Sequence, residues 1–247
     1  MKTTISQKQF KRRETKYILS KATWRLFLRD AQPHLLADDY AHSTITSIYF
    51  DNEDCDMVQD ALAKKHQREK VRIRLYDAHP HANSTAFLEI KKKIDGIGYK
   101  YRLESTPRII QYFLRTGLRD SSLPDQPVCQ EIQSLRKRYG NLYPKILIRY
   151  ERQSFKGLED PKLRLTIDQN VTYSDKQPAL KSAAKEKVLL DPDLMIMEIK
   201  AAETIPDWLS ALLEKHAIER KSFSKYGTAY RLATSPEKEL IAYAPIR

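Results

Sequence analysis

The sequence predicts an α+β fold: a closed, mainly antiparallel eight-stranded β-tunnel with helices packed on the outside. Three observations lead to this prediction. About eight short segments are rich in β-branched and aromatic residues or alternate polar with apolar side chains, as strands do. Amphipathic helical segments lie between and after them without a regular βαβ repeat. The polar faces of the strands are strongly cationic.

Local signals delimit the strands and helices. Ser20 is placed to cap a first helix that runs to about residue 28. Asp95-Gly96, between two strand-like segments, is a strong signal for a two-residue hairpin. Strands are expected at 10–19, 44–50, 70–77, 85–94, 98–104, 145–155, 162–172 and 193–201. Further helices are expected at 56–65, 107–114, 128–139, 206–216 and 224–232.

The composition favours one domain over residues 1–247 with an anionic partner. Hydrophobic residues make up 41%, and the formal net charge is +12. Such a charge favours nucleic acid, an anionic membrane surface or phosphorylated small molecules as partners. No apolar run is long enough for a signal sequence or a membrane span, and the two cysteines favour a reducing compartment. A cytoplasmic protein is therefore predicted, with docking to a membrane protein as the route to any membrane.

Lys and Arg recur on one face of many predicted strands. Residues two apart along a strand share a face, so each strand divides into a charged and an apolar face. Arg72 and Arg74, for example, alternate with Val71, Ile73 and Leu75. The charged faces are Arg12, Glu14 and Lys16; Arg72 and Arg74; Glu89, Lys91 and Lys93; Lys100, Arg102 and Glu104; Arg164 and Asp168; and Glu198 and Lys200.

These faces have two interpretations. In the simpler one, charged faces point to water and apolar faces to a core, as in many antiparallel sheets. However, a solvated face would mix signs and include Ser, Thr, Asn and Gln, and the amphipathic helices need apolar surface to cover. If the helices cover the outside of a barrel, the cations point inward. Buried cations without counter-ions would be prohibitively costly, so the ligand of such a barrel must be an elongated polyanion.

Eight short stretches on these strands and strand ends carry a resemblance to a known family. They are Arg13-Glu14-Thr15-Lys16-Tyr17, Ser47-Ile48-Tyr49-Phe50-Asp51, Val71-Arg72-Ile73-Arg74-Leu75-Tyr76, Leu88-Glu89-Ile90-Lys91-Lys92-Lys93, Arg149-Tyr150-Glu151-Arg152, Leu163-Arg164-Leu165-Thr166-Ile167-Asp168, Met197-Glu198-Ile199-Lys200 and Phe223-Ser224-Lys225-Tyr226-Gly227. In this order, they make the chain resemble the VTC domain, the polyphosphate polymerase module of the triphosphate tunnel metalloenzyme (CYTH-like) superfamily.

The resemblance implies a metal-dependent tunnel that binds ATP and inorganic polyphosphate or tripolyphosphate, and that extends polyphosphate from the γ-phosphate of ATP. The implied cofactor is Mn²⁺ (or Mg²⁺), held by Glu198. Glu14 and Glu89 are further strand-borne metal candidates, and each of the three carboxylates has an alternative role as an internal counter-ion. The implied phosphate ligands are Lys16, Arg72, Arg74, Lys91, Arg152, Arg164 and Lys225, with hydroxyls from Tyr150 and Ser224. Lys93, Lys100, Arg102 and Lys200 are additional substrate-binding candidates.

Three functions stay open from the sequence. They are a polyphosphate polymerase, a hydrolase of tripolyphosphate or nucleoside triphosphates, and a non-catalytic polyphosphate-binding module. Triphosphatases of the superfamily carry an E-x-E-x-K pattern on the first strand, and Arg12 stands here in place of the first Glu. A hydrolase needs carboxylates to activate water, whereas a polymerase has an acceptor that is already anionic. The loss of this carboxylate therefore favours the polymerase. A metal carboxylate at Glu198 argues against pure binding, and the positions of the tyrosines disfavour nucleic acid as the partner. A polymerase tunnel is expected to be open at both ends, so that polymer leaves while ATP enters.

Overall fold

The computed structural model describes residues 13–77, 79–123, 127–176, 178, 180, 185–202 and 204–235. Arg12 and the first residues of the expected first strand lie outside this range. No helix within the described residues is both long and apolar enough to cross a membrane.

Nine strands form one antiparallel sheet in the described residues. They are β1 (Arg13–Ser20), β2 (Leu35–Asp51), β3 (Gln67–Leu75), β4 (Ala86–Ile94), β5 (Ile97–Ser105), β6 (Tyr143–Gly157), β7 (Arg164–Ser174), β8 (Lys187–Val188) and β9 (Leu194–Ala201). Their order across the sheet is β1-β9-β7-β6-β2-β3-β4-β5, with β8 paired to β7. β2 begins well before the expected 44–50, because its polar first half pairs with the end of β6 across an irregular register.

Six α-helices and one short 3-10 helix (Gln32–His34) accompany the sheet in the described residues, and the predicted helix cap and hairpin are both found. The Ser20 hydroxyl accepts a hydrogen bond from the Thr23 backbone N–H at 3.0 Å, as expected of a helix cap. Asp95 and Gly96 have φ of 46° and 88°, the left-handed pair that a tight hairpin between β4 and β5 requires. The helices are α1 (Lys21–Ala31), α2 (Asp56–Leu62), α3 (Pro107–Thr116), α4 (Pro127–Tyr139), α5 (Asp207–Lys215) and α6 (Lys225–Thr234).

The apolar strand faces point outward and most helices cover them. On one side, Ile73 and Leu88 pack with Ile110, Phe113 and Ile132 of α3 and α4. On the other side, the outer faces of β7 and β9 pack against α1 and α5 in a second cluster. Burial of each such side chain contributes about 1.5–3 kcal/mol, which holds the helices on the sheet. The prediction of an antiparallel sheet with helices on its outside is confirmed.

The ring of strands is not closed by hydrogen bonds. No pairing joins β1 to β5 among the described residues. The outer edge of β1 is occupied instead by a later segment, because the Lys221 N–H donates to the Lys16 carbonyl at 2.8 Å and Tyr17 bridges Arg220. The expectation of full closure is therefore wrong in this detail, and an open seam runs along β5.

One end of the barrel is filled by apolar side chains. Here the inner faces of β2, β6 and β9 carry Ile45, Ile148 and Ile196, which join a cluster with Phe223 and Tyr226 around α6. The expected opening at both barrel ends is thus not found in the described part of the chain. A ligand can therefore reach the interior through the other end of the barrel and through the seam.

Tyr226 helps to anchor α6 in that position through two contacts. The Tyr226 ring stacks on Tyr49 at 4.6 Å between centroids, and its hydroxyl donates to Asp51 at 3.0 Å. Asp51 also accepts the Met57 and Val58 backbone N–H groups, so one carboxylate ties α2 and α6 to the end of β2.

A cationic cavity as the candidate active site

The inner faces of the sheet line most of an open cavity of about 1880 Å³, which also reaches Lys92 and Leu103 on the outer side at β4 and β5. Residues of β1, β4 and β9 line it together, although these strands are far apart in the sheet order, because the sheet curls around the cavity. Most of the predicted site residues line this space. They are Glu14, Arg74, Lys91, Lys93, Lys100, Arg102, Arg152, Arg164, Glu198 and Lys200.

The other predicted residues lie directly behind this lining. Lys16 is 3.6 Å from Glu14 and 3.8 Å from Glu198. The Tyr150 hydroxyl accepts from Arg74 at 3.0 Å. Arg72, Lys225, Ser224 and Glu89 bond to other charged or polar groups described below. The structure therefore brings the predicted site residues together around one cavity.

Glu89 is the centre of the largest charge cluster. It is 1% exposed and lies 2.7 Å from Arg72, 2.8 Å from Lys100, 3.8 Å from Arg102 and 3.9 Å from Arg74. Burial alone would raise the pKa of Glu89, but these cations hold that pKa well below its ordinary value. This geometry is that of an internal counter-ion that orients arginines.

Asp168 plays the same part on the opposite wall. It is 1% exposed, accepts two hydrogen bonds from Arg152 at 2.6 and 2.8 Å, and accepts a third from Lys225 at 2.5 Å. Burial opposes ionisation, but Lys225 and Arg152 outweigh it and lower the pKa of Asp168. Lys225 also lies 4.4 Å from the centre of the Tyr150 ring. Asp168 therefore fixes the first residue of α6 against the cavity wall.

Glu14 and Glu198 form a carboxylate pair around Lys16. Glu198 is also 2.6 Å from Lys200. Burial would raise the pKa of Glu198, but Lys200 and Lys16 hold it well below its ordinary value, so the carboxylate is ionised. No three His, Cys, Asp or Glu side chains gather into a metal-binding group within the described residues. The pair nonetheless fits Mg²⁺ or Mn²⁺, since such ions are commonly held by one or two carboxylates together with substrate phosphates.

Lys70 is a residue of this site that the sequence analysis did not select. It lies two positions before Arg72 on the same face of β3, and its ammonium donates to the Ser224 hydroxyl at 3.0 Å. Ser224 also caps α6 by accepting from Gly227 at 3.2 Å. Lys70, Arg72 and Arg74 share one face of β3 because they are two residues apart along the strand. The same alternation that selected Arg72 and Arg74 could therefore have selected Lys70.

Lys70, Lys91 and Lys100 stand directly opposite one another on β3, β4 and β5. Like charges in such register destabilise a sheet. Lys100 is neutralised by Glu89, but no described carboxylate oxygen lies within 4.0 Å of the Lys70 or Lys91 ammonium. Desolvation by the surrounding walls and repulsion from neighbouring cations lower the pKa of both, that of Lys91 to about 8, although the Lys91 side chain is exposed to the solvent of the cavity. The row is therefore short of negative charge, as expected for a site that binds a polyanion.

Tyr49 is a second residue that the sequence analysis did not select. Its hydroxyl accepts from Arg72 at 3.0 Å behind the cavity wall. Burial would raise the pKa of Tyr49, but Arg72 and Arg74 lower it to about 7. The phenol oxygen is thus a second acceptor, beside Glu89, for the Arg72 guanidinium.

Arg164 and Lys93 lie at the margins of the cavity. The Arg164 side chain is about half exposed and contacts Asp38 at the start of β2. Lys93 is exposed beside the β4–β5 hairpin, opposite Arg68 on β3. Both line the same cavity as the central cations.

The pKa of Lys91 leads to a pH prediction. Lys91 loses its charge as the pH rises from about 7 to about 9, and a neutral amine cannot form a charge-assisted hydrogen bond of about 1.5–3 kcal/mol with phosphate. We expect tripolyphosphate binding, measured by calorimetry without divalent metal, to weaken by about tenfold or more over this range. Lys91→Arg keeps its charge throughout and is expected to show a flatter profile. Parallel profiles for the two proteins would show that Lys91 does not titrate on binding.

The fold and the inward-facing cations place the chain in the triphosphate tunnel (CYTH-like) class of proteins. Within it, the chain belongs to the VTC domain family, whose family model matches residues 11–234. No curated protein matches the sequence.

Solved structures are similar to this chain at low sequence identity. A candidate adenylate cyclase from Bacillus halodurans has 12% identity and a TM-score of 0.52, covering 85% of this chain and 92% of its own. A candidate adenylate cyclase from Vibrio parahaemolyticus has 11% identity and a TM-score of 0.47, over 91% and 99% of the two chains. A candidate adenylyl cyclase from Hippeastrum, whose dominant activity is that of a triphosphatase, has 16% identity and a TM-score of 0.45, over 86% and 92%.

Proposed function

We propose that this VTC domain is a metal-dependent polyphosphate polymerase that transfers the γ-phosphate of ATP to the end of a polyphosphate chain. A terminal phosphate oxygen of the chain attacks the γ-phosphorus. The new O–P bond forms as the bond from the γ-phosphorus to the β,γ-bridging oxygen breaks, and ADP leaves with the bond's electron pair. The protein's part in such a reaction is positioning and neutralisation of charge, because no strong base is needed to activate an anionic phosphate.

The observation that carries this proposal is the length of the cationic lining. Arg68 and Tyr76 both line the cavity and stand eight positions apart around β3, a distance of about 26 Å. Lysines or arginines recur along that path and on the neighbouring strands, and Lys70 and Lys91 have no carboxylate partner within ion-pair distance. This row of cations from Arg68 to Tyr76, here called the track, is longer than a triphosphate. Its length supports a polymer as the second ligand.

The charge state of the carboxylates argues against water activation. Glu89, Asp168 and Glu198 all have pKa values below their ordinary range, because each is held by cations. Carboxylates of such low pKa are weak bases toward water, whereas general bases work best with a pKa near the operating pH. These groups therefore support phosphate transfer to an anionic acceptor more than hydrolysis.

A divalent metal completes the proposed site. Glu198, with Glu14 beside it, would hold Mn²⁺ or Mg²⁺, which when bound neutralises charge on the phosphate oxygens. Lys16 contacts both carboxylates, at 3.6 Å from Glu14 and 3.8 Å from Glu198. Arg74 and Arg152, fixed by Glu89, Tyr150 and Asp168, would orient the triphosphate.

The direct test is incubation of the purified protein with ATP and Mn²⁺, with polyphosphate, orthophosphate and ADP resolved over time. We expect ADP and polymer to form together with little orthophosphate. Accumulation of orthophosphate in step with ADP, without polymer at any time, would show a triphosphatase. Binding of polyphosphate without turnover under any metal would show a binding module.

One arginine variant tests the site, and a second arginine variant is its matched control. Arg74→Ala is expected to weaken ATP and tripolyphosphate binding alike, each by roughly 1.5–3 kcal/mol, since Arg74 lines the cavity and would touch phosphate. Arg115→Ala removes an exposed arginine from α3 outside the cavity and is expected to leave binding and turnover unchanged. Equal effects of the two variants would show that only overall charge matters.

A further inference from the structure

An aromatic cluster lines one end of the cationic cavity. Tyr76 follows β3 and is 45% exposed, although large aromatic side chains are usually more buried. Its ring meets the half-buried ring of Phe87 edge to face, with centroids 5.8 Å apart. Phe87 stands opposite Arg74 on β3 and opposite Glu104 on β5, where the inner face of β4 changes from charged to aromatic. Both rings line the cavity.

Two arginines join these rings to the phosphate path. The Arg102 guanidinium carbon lies 3.8 Å from the Phe87 ring centre and 5.9 Å from that of Tyr76. The Arg74 guanidinium carbon lies 6.0 Å from the Tyr76 ring centre. The same two arginines contact Glu89 in the central charge cluster. The aromatic surface is therefore continuous with the cations proposed to hold the triphosphate.

Phosphate recognition does not require an aromatic surface, because phosphate has no planar face to stack. A nucleobase does, and exposed aromatic rings and guanidinium planes are the usual surfaces on which proteins stack bases. We propose that Tyr76, Phe87 and Arg102 form a subsite that stacks the base of the nucleoside triphosphate substrate. This inference rests on the proposed function, since it takes the cavity to bind a triphosphate, and it adds that nucleotides are distinguished from inorganic tripolyphosphate.

The subsite gives the substrate a direction. With the base at Tyr76 and Phe87, the triphosphate extends inward past Arg74 toward the row of Lys70, Lys91 and Lys100. The growing chain then occupies the rest of the track toward Lys93 and Arg68 at the hairpin, next to the open seam along β5. Stacking favours large ring systems, so purine nucleotides are expected to bind more tightly than pyrimidine nucleotides.

The test compares ATP and tripolyphosphate binding to three variants by calorimetry, without divalent metal so that no turnover occurs. Tyr76→Ala is expected to raise the Kd for ATP by about 5- to 150-fold while leaving the Kd for tripolyphosphate within about twofold. Tyr76→Phe keeps the ring and is expected to bind ATP like the wild type. Tyr112→Ala removes a tyrosine of similar exposure, 42%, from α3 outside the cavity and serves as the control.

Each outcome decides the proposal. Unchanged ATP binding in Tyr76→Ala would overturn it, and equal weakening of ATP and tripolyphosphate would show that Tyr76 serves the phosphates instead. Wild-type protein that binds tripolyphosphate but not ATP would also overturn it. The proposed function fails separately: selective loss of ATP binding in Tyr76→Ala, together with orthophosphate as the product of the wild type, would keep the base subsite and reject the polymerase.

Discussion

Glu198→Gln is expected to reduce Mn²⁺-dependent turnover of ATP by on the order of 10³-fold or more, with the fold intact. The substitution keeps the shape of the side chain but removes the charge that would hold the metal. Lys16 and Lys200, which Glu198 now neutralises, become free to contact phosphate. Metal-free tripolyphosphate binding is therefore expected to stay the same or to strengthen. Steady-state assays across a Mn²⁺ series, with calorimetry in parallel, measure both effects.

Glu151→Gln is the matched control for this prediction. Glu151 is an exposed carboxylate on β6 that contacts Gln169 and Asn170 outside the cavity. Its substitution removes one negative charge from the protein without touching the site. Turnover by Glu198→Gln at the wild-type rate, with the same metal requirement, would show that Glu198 is a counter-ion and that the metal is held elsewhere.

Glu89→Gln is expected to lower the free energy of unfolding by about 3–5 kcal/mol, the usual cost of removing one partner from a buried ion cluster. Four cations surround this carboxylate at 2.7–3.9 Å, and in the variant they repel one another without compensation. Urea denaturation of the two proteins at the same ionic strength measures the difference. Tripolyphosphate is expected to restore more stability to the variant than to the wild type, because the ligand supplies the missing negative charge.

The Glu89 experiment also separates two roles for this residue. A counter-ion loses stability on substitution, whereas a metal ligand loses Mn²⁺ affinity with little change in the stability of the metal-free protein. Unchanged unfolding free energy in Glu89→Gln, together with weaker Mn²⁺ binding, would contradict the counter-ion role and make Glu89 part of the metal site.

Local features of the sequence were sufficient to predict most strands and helices. The alternation of charged and apolar side chains predicted that Arg72, Arg74 and Lys91 lie on the charged faces of β3 and β4. In the structure, both of these faces point toward the cavity. Ser20 and Asp95-Gly96 act at their own positions in the chain, so their cap and turn could be predicted from neighbouring residues alone. The longer β2 was missed because its polar first half is stabilised by pairing with β6, which local patterns do not reveal.

Contacts between distant residues could not be predicted in the same way. Asp168 meets Lys225 across 57 positions of sequence, and Lys70 meets Ser224 across 154. The placement of α6 in one barrel end depends likewise on Tyr226 reaching Asp51 and Tyr49. The periodicity of one strand does not reveal which distant segments it meets. Strand pairing and the packing of α6 therefore decide the ion pairs, the filled end and the open seam.

The sequence alone therefore determined which side chains share a face and that the shared charge is positive, because both follow from the two-residue period of a strand. Only the tertiary structure decided which of those cations are neutralised and which are left for a ligand. Glu89 and Asp168 neutralise arginines on opposite walls, whereas Lys70 and Lys91 have no described carboxylate within ion-pair distance. The reason is physical: an ion pair forms over a few ångströms in space. Strand register sets those distances where it places Glu89 opposite Arg72 and Arg102 and Asp168 opposite Arg152. The packing of α6 adds Lys225 to Asp168.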